Sequence, residues 1–184
     1  REFANPAAVI VKHNNPCGVA TGTDVLDAYL TARDVDPVSA YGSVVSVNRE
    51  VTKAFAEEIC GTFVEVIVAP KFSADALKVM KKKENMRVLT LPPTAGGMAF
   101  RSIDGGMLVQ DTPPYRENWT VVTDRDATPK ELRGLRLACK VCAHTRSNAI
   151  VFADDTKTLG IGAGQMSRVD AAKIAIEKSR FPLA

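Results

Sequence analysis

Lys12 and His13 stand side by side at the end of the apolar run AAVIV, and Asn14-Asn15-Pro16-Cys17-Gly18 follows at once. A histidine can take and return a proton near neutrality, and a neighbouring ammonium can meet negative charge as it develops. At the carboxyl end of an inner strand of an α/β sheet, the turn would bring both side chains to the crevice where ligands bind. A surface lysine beside a histidine that caps a turn accounts for the same dipeptide without any chemistry.

The segment GIGAGQMSR, residues 160–168, is a second constellation. Three alternating glycines between a strand and a helix would let backbone N–H groups close on an anion, with Arg168 in the first turns. A plain tight turn explains the glycines equally well. The Gly-Lys-Ser/Thr of a P-loop and the last spacing of G-x-G-x-x-G are absent, which excludes those nucleotide folds. Cys139 and Cys142 form C-x-x-C with His144 close behind, and Cys17 follows His13 by four, so zinc-ligand types are present. Positions i and i+3 of the helical ELRGLRLACKVCAHT are usual core seats, however. The H-x-E and P-C-x-x-C of zinc deaminases are missing too, so structural cysteines are expected. Glu65, inside FVEVIVAP, is expected to be buried and to need a partner, either Lys12 or a substrate group. Lys81, Lys82 and Lys83 read as a solvated helix face.

The elements that must position these residues alternate between strands and helices. AAVIVKH reads as a strand buried on both faces, ending near His13. A turn through Asn-Pro and Cys-Gly should lead into a helix capped by Thr23 or Asp24, with Val25, Leu26, Tyr29 and Leu30 at helical spacing. A turn at Ser39–Gly42, a strand over Val44–Val47, a helix with apolar residues at 51, 55, 59 and 63, and the strand FVEVIVAP follow. Then come a short helix capped by Ser73 and the strand MRVLTLP. Residues 92–128 are rich in Gly and Pro and suggest hairpins, with short strands around 100–103, 107–110 and 119–123. A helix from Pro129 to about His144, two strands in NAIVFADD and TKTLGIGAG, and a helix starting at Gln165 with Met166, Val169 and Ile176 near one face complete the chain. The pattern is α/β, with a mixed and mostly parallel sheet.

With 184 residues, 46% of them hydrophobic, the chain can bury a real core. A net charge of +3 and 6% aromatics argue against a nucleic-acid surface and allow an anionic small molecule. No apolar stretch approaches the roughly 20 residues of a membrane helix, and the four cysteines fit a reducing compartment. A soluble cytoplasmic protein is expected, and the absence of Met before Arg1 suggests an internal fragment.

VKHNNPCGVA, DPVSAYGS, FVEVIVAP, GGMLVQD, RSNAIV and GIGAGQMSRVDAAKIA occur in this order, and over almost the whole chain the sequence resembles the bifunctional AICAR transformylase/IMP cyclohydrolase family, in its transformylase region. The resemblance implies formyl transfer from the cosubstrate 10-formyltetrahydrofolate to the 5-amino group of AICAR. It also implies a three-layer α/β/α cytidine-deaminase-like unit (residues 1–128), the start of a second similar unit (129–184), and no catalytic zinc. His13 would then remove the amine proton, Lys12 would meet the oxyanion or help protonate the leaving nitrogen, and Asn148 would help hold the reacting groups. Glu65 would lie near the AICAR site, Val38, Tyr41 and Gly42 in the turn lining the folate pocket, and Ser167, Arg168 and Val169 on the folate side. Carbonyls near Cys142, Thr145 and Ser147 would form a monovalent-cation loop, with potassium the candidate ion. The family builds its site across a homodimer and from an Arg-Tyr-Gly phosphate-binding segment not found in this chain, so the chain alone is expected to be weakly active or inactive. A zinc-dependent deaminase and a non-catalytic binding domain of the same fold are the alternatives.

Overall fold

The computed structural model describes residues 2–92, 97–111 and 117–183. Its centre is a five-stranded sheet in the order β2-β1-β3-β4-β5. The β-branched run makes β1 (Ala7–Lys12), which pairs antiparallel with both β2 (Asn15–Thr21) and β3 (Ser43–Val47). β3 runs parallel to β4 (Val64–Ala69), and β4 runs parallel to β5 (Arg87–Thr90).

β2 corrects the expected order of strand, turn and helix. His13 and Asn14 alone form the loop of a hairpin, with φ of 51° and 62°. Positive φ at both positions is the left-handed pair of a type I′ turn. Pro16 and Gly18 disguise the returning strand, because proline cannot donate to a ladder and glycine weakens one. The pairing accommodates the proline with a bulge. Ile10 faces Gly18 and Val11 faces Pro16, which leaves Cys17 as the extra residue.

Three helices cover one face of the sheet: α1 (Val25–Val35), α3 (Lys53–Ile59) and α4 (Ala74–Met80), capped by Asp24, Thr52 and Ser73. Ile10, Val45 and Ile67 from the strands meet Tyr29, Phe55, Ile59 and Met80 from the helices in the main core. α2 (Pro37–Ala40) is a single turn between α1 and β3. On the opposite face, Leu137 and Val141 of α5 (Pro129–Ala143) pack in a smaller core with Val9, Val19 and Ile161.

The hairpin of β8 (Ile150–Ala153) and β9 (Thr158–Gly162) abuts the free edge of β2. The buried Thr158 hydroxyl accepts from the Val19 N–H at 3.0 Å, and Thr21 N–H donates to Thr156 O at 2.8 Å. α6 (Arg168–Lys178) packs on β9. Its buried residues are Ala171 and Ala175, whereas Met166, Val169 and Ile176 are exposed, contrary to the apolar face expected from sequence. The helix also starts three residues later than expected, behind the cap Ser167. β6 (Met98–Ile103) and β7 (Gly106–Asp111) form a separate exposed ribbon. Residues 119–123 form no strand, and residues 93–96 and 112–116 of the glycine- and proline-rich stretch lie outside the described residues.

Candidate functional site

A cavity of about 310 Å³ lies where β1, the α1–α2 junction, β9 and α6 meet. Lys12, His13 and Cys17 line it from the first hairpin, Asp36 and Ser39 from the α2 turn, Gln165 from the turn before α6, and Lys178 from the last turn of α6. The type I′ turn brings His13 to the same cavity as its neighbour, whereas consecutive residues of a straight strand would face opposite ways.

Lys12 is held by main-chain oxygens. Its Nζ donates to Tyr41 O at 2.8 Å and to Gly42 O at 2.7 Å. An ammonium has three N–H donors, so one remains for a ligand. Gly42 is left-handed, with φ of 66°, and a Cβ there would sit 3.0 Å from Lys12 Nζ. Asp36 caps α2 by accepting from Ser39 N–H, takes the Ser39 hydroxyl at 2.6 Å, and pairs with Lys178 Nζ at 2.8 Å. Burial alone would raise the Asp36 carboxyl, but the bonds from Lys178 and Ser39 outweigh it and hold the group below its usual value. Cys17 moves the other way. Burial, aided by the Asp36 charge, pushes its thiol up to about 12, so it is protonated at physiological pH.

The glycines of GIGAG have a packing role at two positions. Gly160 and Gly162 belong to β9, and a Cβ on them would lie 2.1 Å from Ala175 O and 1.9 Å from Ala171 O. They let α6 lie directly on the strand, which corrects the anion-loop reading for these two residues. Only Gly164, with φ of 67°, shapes the turn. Asn148 pins that turn, since its Nδ2 donates to the carbonyls of Gln165 and Met166 at 3.0 Å each. Ser167 caps α6, and Arg168 and Val169 lie on its first turn, Val169 exposed.

Glu65 departs from expectation. It is the extra residue of a second bulge, where Ser43 faces Val64 and Val44 faces Val66, and its side chain is exposed rather than buried. The Lys12 alternative does not form either: the ammonium lies on the carbonyls of Tyr41 and Gly42. Val38 and Tyr41 are 85% and 67% exposed, and the Tyr41 ring lies 5.2 Å from that of Phe63. Sequence reading missed Phe63 as a neighbour of this turn. It also missed Asp36, Ser39 and Lys178, whose partnership joins residues 142 positions apart.

Cys139 is exposed rather than seated in the core, and Leu137 and Val141 form the buried stripe of α5 instead. Among the described residues no three His, Cys, Asp or Glu side chains gather closely enough to hold a metal. Of the carbonyls implied for a monovalent cation, that of Cys142 already accepts the Thr145 N–H at 3.0 Å. Three main-chain oxygens of one loop make an incomplete cage for such an ion.

Residues 1–178 match the family described as AICARFT/IMPCHase bienzyme. The bifunctional purine biosynthesis protein PurH of Bacillus cytotoxicus is 46% identical over 185 residues, and that of Sorangium cellulosum is 47% identical over 187. Each alignment takes in 97% of this chain and 36% of the relative, so the chain spans about a third of the length of the curated relatives it matches. Among solved structures, a dCMP deaminase from the cyanophage S-TIM5 is 13% identical, with a TM-score of 0.39 over 47% of this chain and 79% of that one. The chain belongs to the AICARFT/IMPCHase bienzyme family of purine biosynthesis.

Proposed function

We propose that this chain contributes the acid–base pair for formyl transfer from 10-formyltetrahydrofolate to the 5-amino group of AICAR. The observation that carries the reading is the Lys12–His13 pair on one cavity, with Lys12 oriented by two carbonyls and one N–H to spare. The amine is a poor nucleophile because its lone pair is conjugated with the imidazole ring. As its nitrogen bonds to the formyl carbon, His13 accepts the amine proton and the carbonyl oxygen becomes an oxyanion that the third Lys12 N–H can meet. Collapse breaks the bond from the formyl carbon to the folate nitrogen, which leaves with a proton supplied by Lys12, and Lys12 is reprotonated at the expense of the His13 imidazolium. The products are formylated AICAR and tetrahydrofolate, and the proton count is unchanged.

Family membership and the shared cavity support this reading. The same reading makes the working protein a cytoplasmic homodimer with a monovalent cation, potassium the candidate, near the 142–147 loop. In the full-length protein, His13→Ala is expected to lower kcat by roughly 10²- to 10⁴-fold while leaving AICAR affinity nearly unchanged. Equal losses in kcat and in affinity, measured by stopped-flow turnover and calorimetry, would remove the proton-transfer role.

A further inference from the structure

We propose that Asp36 is a positioning residue for Lys12, acting through the single turn of α2. The connection runs through consecutive contacts. Lys178 in the last turn of α6 anchors the Asp36 carboxylate at 2.8 Å. One Asp36 oxygen accepts the Ser39 N–H at 2.9 Å, and the other accepts the Ser39 hydroxyl at 2.6 Å. These bonds begin α2 at Pro37, and α2 ends at Ala40. The next two residues, Tyr41 and Gly42, supply both carbonyls that hold Lys12 Nζ. The Gly42 N–H donates to Phe63 O at 2.8 Å, which ties the far end of the segment to the start of β4.

A four-residue helix cannot hold itself, because one turn fixes several dihedral angles for a single hydrogen bond. Its placement therefore depends on its two ends. The Phe63 carbonyl secures one end and Asp36 the other. The Asp36 side chain is only 13% exposed. Its bonds to Lys178 and Ser39 are therefore less screened than those of a surface pair. Asp36, Ser39 and Lys178 line the same cavity as Lys12 and His13, so the wall that orients the ammonium is also a wall of the site.

The test is competitive acetylation with acetic anhydride in the full-length protein. Lys12 labelling is read by peptide mass spectrometry against the exposed Lys81 as internal standard. In Asp36→Ala, Lys12 should label several-fold faster than in the wild type, and Asp36→Asn should bring the rate back to about that of Lys178→Met, because asparagine still accepts the Ser39 N–H but no longer holds the Lys178 ammonium. Lys178→Met, a change at a half-exposed residue, should give a smaller rise and keeps the test alive if the alanine variant does not fold. The kinetic arm rests on the formyl-transfer reading: kcat should fall about tenfold in Asp36→Ala, the loss of one cap-sized interaction, with KM for AICAR little changed and partial recovery in Asp36→Asn. Unchanged Lys12 labelling in both Asp36→Ala and Lys178→Met overturns the proposal, as does an asparagine variant that labels like alanine. A wild-type protein that transfers no formyl group would sink the proposed function and leave the labelling ratios to decide this inference.

Discussion

Gly162→Ala offers a direct test of how α6 sits on β9. An added Cβ would lie 1.9 Å from Ala171 O and 2.8 Å from Ala171 C, both main-chain atoms of the helix. Non-bonded carbon and oxygen normally stay about 3.3 Å apart, so α6 must retreat by roughly 1.4 Å at this point. That retreat loosens Ala171 and Ala175, both fully buried. Overpacking of this kind costs roughly 1–3 kcal/mol, and here the obstacle is backbone rather than a side chain that can swing aside, so about 3 kcal/mol is expected. Gly164→Ala is the internal control. Its Cβ meets nothing within 4 Å, and its one handicap is the left-handed φ of 67°. That conformation penalises alanine by about 1 kcal/mol. Gly160→Ala would push the same helix at Ala175 O, so the double variant with Gly162→Ala should cost less than the sum of the singles. Urea denaturation followed by circular dichroism gives the ranking. If Gly162→Ala lies within about 0.5 kcal/mol of the wild type, the ordinary range for surface changes, α6 is not seated on β9 as described.

Cys17 and Glu131 each give the protein a dependence on pH. Cys17, with its thiol pushed up to about 12 against a reference of 9.0, should react with iodoacetamide at about pH 8.5 far more slowly in the native chain than in urea, by quantitative mass spectrometry. Because the folded state keeps this proton longer than the unfolded state, Cys17 should also make stability fall as pH rises from 9.0 toward about 12. The Glu131 carboxyl is held down to about 2 from 4.5, first by the Arg125 guanidinium and then by the Thr128 cap, so its support is present above 4.5 and lost as pH falls toward about 2. Glu131→Gln should therefore flatten the melting-temperature decline across that window, and an unchanged acid limb would show that the Arg125 pair contributes nothing.

The strands of the main sheet other than β2, and the existence of every helix but the one-turn α2, were legible from their apolar runs and spacing. β2 was hidden by its composition. Pro16 and Gly18 are turn residues by propensity, and only the bulge at Cys17 and the cover of α1 make them a strand. α6 misled in the opposite way. Its large apolar residues suggested a buried face, but a strand carrying Gly160 and Gly162 approaches so closely that only Ala171 and Ala175 fit between. Glu65 looked buried because its neighbours are apolar, and a bulge turned it out. At the site, the dipeptide Lys12–His13 was visible, whereas the partners of Lys12 are backbone oxygens and carry no side-chain signature.

The two-residue hairpin loop bears on the chemistry proposed for it. A longer loop would let the histidine wander, and general base catalysis loses most of its benefit when the base is misplaced by an ångström. With φ positive at both His13 and Asn14 and the ladder closed at Lys12 and Asn15, the backbone at His13 has little slack. Lys12, one residue earlier, is fixed by a different device, since its flexible stem ends on two carbonyls that α2 presents. The His13 backbone and the Lys12 ammonium are thus both held, while Val38, Tyr41 and Val169, the residues the family resemblance assigns to the folate, are 85%, 67% and 63% exposed. Ligand sites normally bury most of their ligand's surface. A pterin resting on these three side chains alone would bury little of its own, so in the proposed reaction this chain supplies the orientation of the proton-transfer groups, and the enclosure of the folate has to come from protein surface beyond these residues.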